Sequence, residues 1–225
     1  MNNLAKRTVV GFTQLIATLG ISLLAPAWTR EYWQAWVYLC VFAASAAIIT
    51  IYLWKNDRKL LGRRIEAGPG AEKENSQKLL QLLASFVFVG AMILPSLDHR
   101  FRWSTVPLTM VITGDLLVAL GFFIVFLVFK ENTFTVATIV VSPDHAVVST
   151  GPYAVVRHPM YSGALVMLLG TPLALGSWWG LLMFVPMVFI IARRACDEEQ
   201  FLLKYLSGYE AYRRAVGYRL VPFVW

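Results

Sequence analysis

TVPLTMVITGDLLVALGFFIVFLVF, residues 105–129, carries a single charged side chain, Asp115. A bilayer's hydrocarbon core needs about 20 apolar helical residues to cross it, and this run is longer than that. Similar runs occupy 8–27, 34–54, 79–97, 160–176 and 178–193. The last two are short and meet at Leu175-Gly176-Ser177-Trp178-Trp179, which predicts a tight hairpin with tilted or incomplete crossings. Over all 225 residues, 58% are hydrophobic and 15% charged, with a mean hydropathy of +0.61. A soluble domain is about 45–50% apolar and about 25% charged. The prediction is an all-α, polytopic membrane helical bundle of about six transmembrane helices with a C-terminal amphipathic cytosolic helix. It forms one domain over 1–225, with four spans in 1–129 and a polar loop, the hairpin and the final helix in 130–225. The first run lacks a small-residue cleavage site and reads as an anchor.

Charge sets the expected sidedness. With a cytosolic N-terminus, 17 of the 20 Lys and Arg residues lie inside, leaving Arg30, Arg100 and Arg102 outside. Both termini are then cytosolic. Trp28, Trp33, Trp36, Trp103, Trp178 and Trp179 fall at the outer edges, as an interfacial belt should. The net charge of +7 belongs to membrane-flanking loops, so it points to a lipid bilayer and not to nucleic acid. Composition by analogy suggests a bacterial inner membrane. Residues 55–78, with Gly68-Pro69-Gly70, read as a solvated cytosolic loop. Cys40 and Cys196 do not suggest a disulfide, and the three histidines lack metal-ligand spacing, so no metal is expected. Asp115, inside a span, is a functional hypothesis by default, although Thr109 and Thr113 stand near enough to satisfy it.

Two polar stretches on the cytosolic side exceed ordinary loops. The first ends in Gly151-Pro152-Tyr153-Ala154-Val155-Val156-Arg157-His158-Pro159-Met160-Tyr161-Ser162-Gly163. Proline disfavours helix in the residue before it and suits the first helical position, so a helix should start at Pro159. His158 then borders a helix N-terminus, where free N–H groups favour a carboxylate or phosphate. Tyr161 lies close enough to line the same opening. Arg157 either snorkels to headgroups at a rigid junction or belongs to a site. The second stretch holds Arg193-Arg194-Ala195-Cys196-Asp197-Glu198-Glu199. Arg194 and Glu198 share a helix face, as an ion pair ending a span or as opposite charges facing a zwitterionic ligand. Phe201, Leu202, Tyr205, Tyr209 and Tyr212, interleaved with Lys204, Arg213 and Arg214, suggest an amphipathic helix lying on the membrane or capping a site.

The ordered series Gly151-Pro152-Tyr153, Arg157-His158-Pro159-Met160-Tyr161-Ser162-Gly163, Glu198-Glu199-x-x-Leu202 and Tyr209-x-x-Tyr212 resembles the isoprenylcysteine carboxyl methyltransferases. It is most similar to their bacterial membrane relatives, which also resemble phospholipid methyltransferases. The likeness is specific from about 130 to 225 and only topological before that. It implies S-adenosylmethionine as cofactor in a cytosolic-face pocket. By position it implies that His145, Ala146, Val147, Val148, Tyr153, His158, Pro159, Met160 and Tyr161 border the cofactor. Glu198 would meet the methionyl ammonium, and Arg194 would face the methyl acceptor. Tyr205-Leu206-Ser207 stands where that family has Phe-Phe-Gly.

The implied activity is methylation of a lipophilic or lipid-linked substrate, foremost a carboxylate of isoprenylcysteine type. A carboxylate acceptor is already ionised and needs only a cation to place it, which suits Arg194. An amine acceptor, as in phospholipid N-methylation, must lose a proton, with Glu199 as the acid nearest to hand. Membrane sterol or enoyl reductases using NADPH share a Tyr-x-x-x-Arg-His-Pro-x-Tyr segment and an ending like Tyr218-Arg219-Leu220-Val221-Pro222. The adjacent pair Glu198-Glu199 fits the methyltransferases better. A non-catalytic scaffold is the remaining alternative.

Overall fold

A computed structural model describes residues 3–65, 75–133 and 147–225. His145, Ala146 and Gly68-Pro69-Gly70 lie outside the described residues. Among those described, the regular structure is helical: α1 (Asn3–Ala27), α2 (Trp33–Asn56), α3 (Arg58–Ile65), α4 (Asn75–Phe101), α5 (Leu108–Glu131), α6 (Pro159–Ala174), α7 (Leu181–Tyr205) and α8 (Tyr209–Ala215). A 3-10 turn covers Gly151–Ala154. The chain is a membrane helical bundle. Four helices, α1, α2, α4 and α5, are long and apolar enough to cross a bilayer. The 16 residues of α6 and the apolar first half of α7 form the shorter hairpin.

Prolines set two boundaries. Pro107 caps α5, which starts at Leu108 and not at 105, and Pro159 is the first residue of α6, as expected. The closest packing in the bundle is between antiparallel α5 and α6. Gly114 and Gly121 on α5, and Gly163 and Gly170 on α6, are each seven residues apart, two turns along one face. Gly114 meets Ala174 and Gly170, and Gly121 meets Gly163 and Met167. A Cβ built on Gly114 would stand 2.1 Å from the Ala174 nitrogen. Lipid tails give apolar helices no hydrophobic reason to associate, so such backbone contact carries the cohesion.

The end of the bundle away from the N-terminus is locked by polar groups. Buried Asp98 accepts hydrogen bonds from the Ser104 N–H at 2.8 Å and from the hydroxyls of Ser104 and Ser177. Tyr32 donates to the Leu175 carbonyl at 2.6 Å and stacks on His99 at 4.0 Å. These contacts pin the α6–α7 hairpin turn to α2 and α4. The six tryptophans expected at this end are all exposed.

Three expectations need correction. Residues 58–65 are helix, not solvated loop: Asp57 caps α3 through the Leu60 N–H at 2.9 Å, and Leu60 and Leu61 are buried. The α7 helix runs unbroken through Arg193–Glu199 to Tyr205, because nothing in that stretch interrupts its backbone ladder. The final amphipathic helix is therefore only the seven residues of α8, set off by Gly208 in the left-handed region at φ +83°. Its Tyr209 and Tyr212 are buried against Leu206, Val216, Val147, Tyr153 and Leu202, and do not lie on a lipid surface. Asp115 finds no partner in the threonines, since Thr113 donates to its own helix at the Thr109 carbonyl. Its Oδ1 is buried without a hydrogen bond among the described residues.

Candidate functional site

The start of α6 and the polar half of α7 meet at the N-terminal end of the bundle. Successive helical residues point about 100° apart, so Glu198 and Glu199 serve different neighbours. The Tyr161 hydroxyl donates to Glu198 Oε2 at 2.7 Å and accepts from Arg194 Nε at 3.1 Å. One phenol therefore bridges the i, i+4 pair that the spacing places on one face. The His158 ring stacks on Tyr161 at 5.6 Å, with Nδ1 3.8 Å from Glu198 Oε2.

Glu199 turns the other way. Its Oε1 accepts from Arg157 Nε at 2.6 Å and its Oε2 from Arg219 Nε at 2.8 Å. His158 Nε2 lies 3.4 Å from Oε1. Burial alone would push this carboxyl up; the nearby His158 ring and the Arg157 and Arg219 donors outweigh it and hold the group at about 2. A general base needs a proton affinity near the working pH. Glu199 has none to spare, so the catalytic role expected for it with an amine acceptor does not fit its surroundings. Arg157 is 7% exposed and does not snorkel. It also donates to the carbonyls of Val216 at 2.6 Å and Gly217 at 2.9 Å.

These contacts fasten the last ten residues across the start of α6. The N–H groups of Arg157 and His158 donate to the carbonyls of Tyr218 and Arg219, each at 2.9 Å. Ser162 donates its hydroxyl to the Leu220 carbonyl. The Arg219 guanidinium sits over the Trp225 ring at 5.0 Å.

The remaining wall comes from the 147–156 segment and α3. The Asn132 amide donates to the Tyr153 hydroxyl at 3.1 Å, and the Tyr153 carbonyl accepts from Tyr212 at 2.8 Å. Burial pushes the Tyr153 phenol up to about 12. Gly151, at φ +57°, lets the chain pass against Glu131, which accepts the Thr150 hydroxyl. Val147 packs on α8, and Val148 beside it is half-buried. From α3, the Arg64 Nη2 lies 2.8 Å from Met160 Sδ, and its guanidinium covers the Phe129 ring at 4.6 Å. Desolvation pulls that guanidinium down to about 10.

Of the residues singled out in sequence, Tyr153, His158, Pro159, Met160, Tyr161, Arg194 and Glu198 converge on this end. Arg64 was missed because it stands in what reads as a charged loop. Its signal is the spacing Leu60, Leu61, Arg64, which puts the arginine on the buried face of a short helix.

The sequence model of the phospholipid methyltransferase family matches residues 109–207, which contain all these α6 and α7 groups. A protein-S-isoprenylcysteine O-methyltransferase of Schizosaccharomyces pombe is 37% identical over 83 residues, 35% of this chain and 35% of its own length. An Oryza sativa (indica) protein named "Probable protein-S-isoprenylcysteine O-methyltransferase" is 30% identical over 137 residues, 60% of this chain and 69% of its own. The chain belongs to the isoprenylcysteine methyltransferase-like family. Its long apolar helices make it an integral membrane protein, and the part matched by the family model holds α5 from its second residue and the whole of α6 and α7. The chain spans about a third of the length of the S. pombe relative. A Delta(14)-sterol reductase of Mus musculus is also similar, 34% identical over 91 residues, 39% of this chain and 22% of its own length.

Proposed function

We propose that this member of the family is a membrane methyltransferase that uses S-adenosylmethionine and acts on a lipophilic or lipid-linked acceptor, foremost a carboxylate of isoprenylcysteine type. The observation that carries this reading is Glu198: an acid held by Tyr161, beside His158, with Arg194 on the same phenol. An acid flanked by cations and aromatic rings suits a ligand that carries an ammonium, a carboxylate and a sulfonium. Glu198 takes the methionyl ammonium, while Tyr153, His158, Pro159, Met160 and Tyr161, with Val147 and Val148, border the rest. His145 and Ala146 belong to the same expected set.

Methyl transfer is an in-line displacement at the sulfonium carbon. The acceptor oxygen forms the new C–O bond as the C–S bond breaks, and the sulfur keeps the electron pair. The protein need only align acceptor, methyl and sulfur and exclude water. Arg194 supplies the cation that places a carboxylate. With Glu199 consumed by its arginines, no described acid other than Glu198 stands ready to deprotonate an amine, which favours the carboxylate. The proton-free chemistry also needs no metal. The bilayer delivers the acceptor from the side and the cofactor enters at the polar end; the bias of basic residues supports a cytosolic face there, and composition by analogy supports a bacterial inner membrane.

Transfer of labelled methyl from S-adenosylmethionine to a farnesylcysteine acceptor tests this. The expected product releases its label as methanol on mild base, the mark of a carboxyl ester. Glu198→Gln should weaken cofactor binding by about 10-fold or more. Base-stable label in phospholipid would indicate N-methylation instead. The similarity to a sterol reductase supports one second reading, an NADPH-dependent reductase, which the same protein would reveal by oxidising NADPH.

A further inference from the structure

We propose that Arg64 is a carboxylate-binding residue of this site, and that the carboxylate it takes is the methionyl carboxylate of the cofactor. This rests on the methyltransferase reading above and adds to it a residue from outside the part matched by the family.

The first ground is what the α6 N-terminus lacks. A helix start ordinarily offers several free N–H groups to an anion. Here the His158 N–H is taken by the Arg219 carbonyl, and Pro159 has none. The N–H groups of Tyr161 and Ser162 fold back on the His158 carbonyl at 3.0 and 3.1 Å. Met160 alone keeps its N–H open among the described residues. One N–H does not balance a carboxylate, so a side-chain cation must.

Arg64 is that cation by position. The Asp57 cap and the burial of Leu60 and Leu61 fix α3, and Arg64 follows on the same face. Its guanidinium reaches the same Met160 whose N–H is open. A guanidinium has five N–H donors, and a thioether is a weak acceptor. Among the described residues the Met160 sulfur is its hydrogen-bond partner, and a ring lies beneath it. An arginine desolvated this way, with no oxygen acceptor among the described residues, is suited to an anionic ligand. Arg64 reaches Met160 and Glu198 holds Tyr161, so guanidinium and acid contact successive residues of the first turn of α6. Arg194 approaches from α7 and donates to the Tyr161 hydroxyl, and it keeps the acceptor-placing role proposed above.

The 225-residue chain in detergent tests this by calorimetry with S-adenosylmethionine and with decarboxylated S-adenosylmethionine. The wild type should bind the carboxylated ligand about 10- to 100-fold more tightly, as a charged hydrogen bond implies. Arg64→Gln should lose that preference while binding the decarboxylated ligand as before, which also shows the variant to be folded. Arg64→Lys should recover part of it. If Arg64→Gln leaves the cofactor preference intact and raises the KM of a carboxylate acceptor, the cofactor assignment is overturned in favour of the acceptor. No change in either overturns the proposal while the methyltransferase reading stands. A folded wild type that binds neither ligand overturns both.

Discussion

Glu199 sits in a buried ionic cluster, and its carboxyl, ordinarily near 4.5, is held at about 2. A carboxyl pushed down in the folded state stabilises above its unfolded value and loses that contribution as pH falls through the folded one. The window is therefore about 4.5 down to 2, and a shift of that size corresponds to about 3 kcal/mol. Thermal unfolding in detergent should show the wild type losing stability across that window. Glu199→Gln should be less stable at pH 7, by about 3–5 kcal/mol, because it strands the buried Arg157, and should show a flatter profile on acidification. Much of this site is legible at the residue scale. Proline chemistry alone places His158 at the start of α6, and the i, i+4 rule alone pairs Arg194 with Glu198. The split between Glu198 and Glu199 is not legible, since it depends on Arg219 returning from twenty residues downstream. For the same reason Arg157 reads as a headgroup anchor until its partners are known.

The α5–α6 pair is held by glycines, and substitution there should act on the whole site. A Cβ at Gly114 or Gly121 would come within 2.1 or 2.5 Å of α6 backbone, far inside contact distance. Gly114→Ala must push the helices apart and should destabilise by about 1–3 kcal/mol, the usual range for overpacking. The check is the detergent unfolding temperature of Gly114→Ala against that of Gly11→Ala, since nothing lies within 4 Å of a Cβ at Gly11. Helix content and the positions of the four long spans are legible because apolar length and proline placement are local properties. The extent of α7 is not. The change from apolar to charged at Arg193 is a change of composition and not the end of the helix. The same holds for α3: its charges read as a loop, but two leucines and a capping aspartate make it a packed helix.

Across the whole molecule, opposite ends do different work. Asp98, its serines and Tyr32 tie the hairpin turn at one end, while the other end gathers the charged groups of α3, α6, α7 and the final segment. That segment is the brace: its carbonyls at Val216, Gly217, Tyr218, Arg219 and Leu220 all accept from residues 157–162. Ending the chain after Ala215 should leave the bundle folded by circular dichroism but abolish cofactor binding, because Arg157, His158 and Glu199 lose their partners together. Retained binding would show that α6 positions His158 without the brace.

The central claim is that the Glu198 end of the bundle receives S-adenosylmethionine. The most direct test is calorimetry on detergent-purified protein with S-adenosylmethionine and NADPH in parallel, and with Glu198→Ala as the control. Binding of S-adenosylmethionine alone, lost or strongly weakened in Glu198→Ala, is the predicted result. Binding of NADPH alone, unaffected by Glu198→Ala, would contradict the account and make the protein a reductase.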